Sequence, residues 1–136
     1  MRISRSTNYA LLAVAYLVRH QKEGIILSQD ISKEYNIPLE YLLKLLQQLV
    51  RANVLRSKRG PHGGFSLARS IKKINLLQVI EAVDGPMVGR LNLAEHARGE
   101  RICARMERAY EKAIAQARSV LEKAKLSDLM AGRKRA

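Results

Sequence analysis

Acidic residues and cysteine are both scarce in this chain. Only 12 Asp and Glu stand against 25 Lys and Arg, and Cys103 is the single cysteine among 136 residues. One thiol excludes an intramolecular disulfide and any metal site assembled from several cysteines of one chain. No apolar run approaches the roughly 18–20 residues a membrane span requires, the stretch Tyr9 to Val18 being about half that length. It reads as a core helix, and no membrane partner is expected. Ala10 to Val18 runs into Arg19-His20-Gln21-Lys22 with no small-residue cleavage site, so a signal peptide is not expected and the cytoplasm is. Nor is there a nucleophile beside a base, a carboxylate pair or a phosphate cradle. Gly60 to Gly64 lacks the Lys-Ser/Thr sequel of a phosphate-binding loop. No catalytic residue is assigned, and an enzyme is not expected.

What the chain has is positive charge. The formal net charge is +13, and it is spread along the whole length: residues 1–70 hold 11 basic against 4 acidic side chains, residues 71–136 hold 14 against 8. Such an excess favours a polyanionic partner, nucleic acid before an anionic membrane. The length is that of one compact unit with a modest core.

The organisation is mainly helical. Ser6 or Thr7 is expected to cap a first helix with apolar Tyr9, Leu12, Ala13, Tyr16 and Leu17, ending near Gly24. Ser28 would cap a short second helix that Asn36 stops, and Pro38 would open a third at its first position. This third helix is apolar at Leu39, Leu42, Leu43, Leu45, Leu46, Leu49 and Val50, and shows Glu40, Tyr41, Lys44, Gln47, Gln48 and Arg51 on its remaining face. After Asn53, a plausible C-cap, Val54 to Lys58 and Phe65 to Ala68 have the makeup of two short strands. The run Arg59-Gly60-Pro61-His62-Gly63-Gly64 joins them as a tight, glycine-rich tip approached by Arg56, Lys58 and Arg59. Together these elements form a helix-turn-helix followed by a two-stranded β-wing. Asn75 is expected to cap a fourth helix, Leu76 to Val83, and residues 85–99 read as a loop. A long last helix steps through Cys103, Met106, Tyr110, Ala113, Ala117, Val120 and Ala124 by threes and fours, with Leu121 widening the stripe. A helix so patterned either folds back on the first and fourth helices or meets a second copy of itself, and a homodimer is the expectation.

Four blocks resemble the Rrf2-type winged helix-turn-helix regulators of bacteria: Met1-Arg2-Ile3-Ser4 with Asn8-Tyr9-Ala10-Leu11; Ile37-Pro38-Leu39-Glu40-Tyr41-Leu42; Ser57-Lys58-Arg59-Gly60-Pro61-His62-Gly63-Gly64-Phe65-Ser66-Leu67-Ala68; and Val79-Ile80-Glu81-Ala82-Val83-Asp84-Gly85. The third block is the most specific. The resemblance implies a dimer held by the long C-terminal helix, a third helix lying in the major groove of DNA and an arginine, Arg59, entering the minor groove. The residue chemistry agrees. A carboxylate such as Glu40 accepts from cytosine N4, while Lys44 reaches guanine or phosphate; Tyr41 either joins them or is partly buried. An arginine beside a glycine tip suits a narrow minor groove. Arg2, Ser4 and Arg5 precede or begin the first helix, where cations and free N–H groups favour phosphate. Ser28, Leu39, Arg51, Lys58, Gly60, His62 and Gly63 complete the expected DNA-contacting set.

Iron–sulfur members of that family carry three cysteines before the dimer helix; here Cys103 stands alone, and neutral Asn8 occupies the position of an acidic ligand found in some relatives. His96 and Cys103 would be about 10 Å apart along a helix, too far for one ion. No metal and no cofactor are expected. Arg101, Arg105 and a helix N-terminus would lower the Cys103 thiol pKa, which leaves a redox sensor open beside a buried structural cysteine. The expected unit is therefore a homodimeric repressor of double-stranded DNA with a palindromic operator. It has a binding domain over 1–84, a sensor-type loop over 85–99, a dimerisation helix and short helix over 100–131, and a basic tail over 132–136. The alternative is control through Cys103, or through a regulatory protein or small-molecule effector acting on the 85–99 loop.

Overall fold

The computed structural model describes residues 3–131. Arg2 and the expected basic tail, 132–136, lie outside the described residues.

Helix α1 spans Arg5–Arg19. Its cap is Ser4, not Ser6 or Thr7: the Ser4 hydroxyl accepts from the Thr7 N–H at 3.1 Å. The buried face is Thr7, Ala10, Ala13, Val14, Leu17 and Val18, so the stripe turns away from the expected Leu12, which is exposed. Helix α2 (Ser28–Tyr35) starts one residue earlier than its expected cap would place it, with Leu27 at the cap position and no side-chain cap bond. Asn36 ends it in the left-handed region at φ 54°, a conformation asparagine tolerates well. Pro38 then stands at the N-cap of α3 (Leu39–Arg51), just outside the helix, and its carbonyl accepts the Leu42 N–H at 2.9 Å. Leu42, Leu45, Leu46 and Leu49 form the buried face of α3. Asn53, at φ 62°, is the left-handed residue just past the C-cap Ala52.

The wing is an antiparallel pair, β1 (Leu55–Lys58) and β2 (Gly64–Leu67), with Leu55 opposite Leu67 and Lys58 opposite Gly64. β1 starts one residue later than expected and ends at Lys58 as expected, whereas β2 is displaced one residue towards the tip. A contact the sequence does not advertise closes the sheet on its other side: Ile26 and Phe65 exchange two backbone hydrogen bonds of 2.8 Å. Helix α4 (Leu76–Asp84) carries a full capping box, in which Asn75 and Gln78 each accept the other's N–H at 2.9 Å. Its inner residues Leu77, Val79 and Ile80 are buried, and Val79 joins the core formed by α1, α3 and the base of the wing.

Helix α5 runs from Arg101 to Lys123, and α6 from Leu126 to Ala131. The chain returns to the domain between them: the Leu76 N–H donates to the Ala124 carbonyl and the Leu126 N–H to the Ile74 carbonyl, both at 2.9 Å, and Leu126 is buried against the core. Part of α5 therefore folds back on its own subunit. Arg118 pairs with Glu81 of α4, and Ile114 and Leu121 are half-buried. Ala117 and Ala124 are half-covered too, and Ala124 follows the helix rather than continuing it. Met106 (50% exposed) and Val120 (68%) point outward with Ala113, Ile102 and Ala109. The outward apolar stripe is rotated from the expected seam because the neighbouring row is committed to α4.

Candidate nucleic-acid interface

The beginning of α3 is held against the beginning of α1. Tyr41 hydrogen-bonds Ser6 and meets Tyr9 edge to face, with ring centroids 5.5 Å apart. Tyr41 is consequently half-buried, and its hydroxyl is used within the chain. The junction leaves an open cleft of about 500 Å³ lined by Ser6, Tyr41, Lys44, Gln47, Gln48 and Arg51. Glu40, Lys44, Gln47 and Arg51 are all exposed and follow one another at helical spacing on the side of α3 turned away from the leucine core. Leu39 is half-buried at the start of the helix.

At the wing, Lys58, Arg59, Gly60 and His62 are exposed and Gly63 is half-buried. The tip depends on its glycines for reasons internal to the chain. Gly60 adopts φ 105°, where side chains are strained. A Cβ on Gly63 would overlap the Lys58 carbonyl and lie 2.9 Å from that of Gly60, the acceptor of the Gly63 N–H. Among the described residues, no hydrogen bond or ion pair ties the tip to α3. Wing and helix are thus two separate exposed points on one scaffold.

Three expected contacts are otherwise engaged or placed. Ser28 is buried, with 9% of its surface accessible and its hydroxyl directed to Gln29. The α2 terminus turns it inward, which removes it from the exposed set. Ser4 spends its hydroxyl on capping α1 and on donating to Asp84 at 2.6 Å. Arg5 is exposed at the first position of α1.

The loop that follows α4 is anchored rather than free-standing. Glu81 accepts from the Met87 N–H at 2.6 Å as well as from Arg118, and Glu107 accepts the Leu93 N–H at 2.9 Å. Cys103 contradicts the expectation of a low-pKa thiol. Its pKa is raised by burial, by the hydrogen bond its S–H makes to the Glu100 carboxylate, and by the charges of Glu100 and Glu107. The acids lie closer in effect than Arg101 and Arg105, and they disfavour the thiolate.

No helix among the described residues is long and apolar enough to cross a membrane. The family model described as "Rrf2: Iron-dependent Transcriptional regulator" matches residues 3–132. A putative HTH-type transcriptional regulator of Azotobacter vinelandii, ORF2, is 38% identical over 84 residues, covering 62% of this chain and 51% of the relative. The HTH-type transcriptional regulator IscR of Cereibacter sphaeroides is 36% identical over 86 residues, covering 62% and 56%. The chain thus spans about half the length of these curated relatives. Among solved structures, CymR (YrzC), the global cysteine regulator of B. subtilis, superposes with a TM-score of 0.81 at 24% identity, over 96% of this chain and 97% of that one. That likeness speaks for the winged-helix fold with its C-terminal helix. These relatives are regulators of transcription, not enzymes.

Iron dependence belongs to the matched family, and an iron site needs a set of clustered donors. Among the described residues no three His, Cys, Asp or Glu side chains gather at metal-binding range. The only thiol donates to Glu100. The residues do not fit an iron–sulfur cluster, which needs several thiolates or equivalent ligands.

Proposed function

This chain belongs to the Rrf2 family of transcriptional regulators, and on that premise we propose that it is a homodimeric repressor that binds a palindromic site in double-stranded DNA without an iron–sulfur cluster. The observation that carries this reading is the missing counter-charge. Among the described residues the only ion pairs are Arg118 with Glu81 and His20 with Glu23, so the cations of the wing and of α3 have no ion-pair partner among them. Exposed, unpaired cations on two projecting elements complement the phosphate backbone, which supplies the sequence-independent part of binding. In this reading α3 enters the major groove with Glu40 and Lys44 at base edges, Leu39 and Tyr41 beside them, and Arg51 on phosphate. Arg59 enters the adjacent minor groove, flanked by Lys58, Gly60, His62 and Gly63, and Arg5 holds a phosphate at the start of α1. The outward stripe of α5, with Met106, Ala113 and Val120, packs on a second copy and fixes the distance between two such surfaces.

The test is titration of a duplex obtained by selection from random DNA. Arg59→Ala is expected to weaken binding to that duplex at least tenfold, while its mass in solution and its thermal unfolding stay those of the parent. Unchanged affinity for the selected duplex would remove the wing from the interface.

A further inference from the structure

We propose that Gln47 is a base-reading residue of α3 and that the base it takes is adenine; this rests on the reading of α3 as the major-groove helix. Gln47 is exposed, and its side-chain amide has no hydrogen-bond partner among the described residues although Lys44, Gln48 and Arg51 line the same cleft. It follows Glu40 by seven residues and Lys44 by three, which places all three on one face of the helix, opposite Leu42, Leu46 and Leu49. Major-groove helices read bases from such a row, with successive readers three, four and seven residues apart.

The chemistry of the three side chains is distinct. Glu40 only accepts and Lys44 only donates, whereas the Gln47 amide offers an acceptor and a donor side by side. Adenine shows the matching pair on its major-groove edge, N7 accepting and N6–H donating, and a glutamine meets both at once. Seven residues of helix advance about 10 Å, and base pairs are stacked about 3.4 Å apart. Because a helix in the groove is inclined to the duplex axis, the adenine lies at most about three base pairs from the base met by Glu40. Arg51, one turn further on, has left the base edges and reaches the backbone.

The experiment is selection from random duplex DNA with the parent chain, Gln47→Ala and Gln47→Arg, each also titrated against the parent's selected site at several salt concentrations. The parent is expected to select one adenine in each half-site that Gln47→Ala no longer distinguishes, with discrimination at that position falling roughly 5- to 150-fold and the salt dependence unchanged. Gln47→Arg should select guanine there, since a guanidinium donates twice to guanine O6 and N7. Because Gln47 is exposed, neither variant threatens the fold. A Gln47→Ala profile identical to the parent's, or a uniform loss accompanied by a shallower salt dependence, overturns the base-reading role while leaving DNA binding intact. A parent that selects no sequence at all overturns the DNA-binding reading itself, and this inference with it.

Discussion

Asp84 joins two ends of the fold that are far apart in sequence. Burial pushes its pKa up, but hydrogen bonds from the Ser4 and Thr7 side chains and from the Ser4 backbone more than offset this, and the carboxyl sits below its ordinary value of 3.8. A carboxylate whose folded pKa is depressed stabilises the fold above its unfolded pKa, and that stabilisation is lost as pH falls through the lowered value. Asp84→Asn is therefore expected to lower the melting temperature at neutral pH, with the gap to the parent closing as the buffer is taken below about pH 3.8. A gap that stays constant through the acid range would show that the charge of Asp84 does not matter. At this scale the sequence is legible where the partner is near. The Asn75–Gln78 capping box and the left-handed Asn36 follow from residue type and spacing of three or fewer. The Ser4–Asp84 and Ser6–Tyr41 bonds span separations of 80 and 35 residues, and nothing in the local pattern announces them. They are also why Ser4 and Tyr41, both expected among the DNA contacts, have their hydroxyls engaged.

Helix α5 carries three parallel rows at seven-residue spacing: 106, 113 and 120; 107, 114 and 121; and 110 and 117. A heptad pattern shows that a helix has a partner but cannot say which of two adjoining rows meets its own domain, since one residue is a rotation of only about 100°. Here the row through Ile114 and Leu121 is committed to α4 by the Arg118–Glu81 pair, and the row through Met106 and Val120 is left outside. Tyr110 serves both sides, because its ring rests against Gly89 of the loop. Met106 and Val120 are accordingly the cleaner probes of the outward row. Met106→Glu combined with Val120→Glu should leave the melting curve of the isolated subunit cooperative while halving the mass measured by sedimentation equilibrium. A double variant that sediments like the parent would move the subunit contact to another surface. The wing offers a parallel lesson. Its glycine tip is plain from sequence, but the Ile26–Phe65 pairing that seats it on the domain comes from a segment with no strand pattern of its own.

For the whole molecule, the net charge of +13 and the two ion pairs among the described residues would put the energy of the proposed DNA binding largely in counterion release. If six to ten phosphates are neutralised per dimer, raising salt from about 50 to 200 mM should weaken binding on the order of a thousandfold or more. A fluorescence-anisotropy titration with an affinity independent of salt would exclude a backbone-dominated interface. Two copies joined along α5 would present two α3 helices and two wings to one face of a duplex, with half-sites about 34–36 Å apart if each helix enters its own major groove. Both helices then bind or neither does, and specificity multiplies across the pair. Light scattering coupled to size exclusion, performed on the free protein and on its complex with a selected duplex, tests this arrangement most directly. The free protein should show twice the chain mass of 15.3 kDa, and the complex should contain two chains per duplex. Single chains of 15.3 kDa at every concentration, with one chain or none on the duplex, would contradict it.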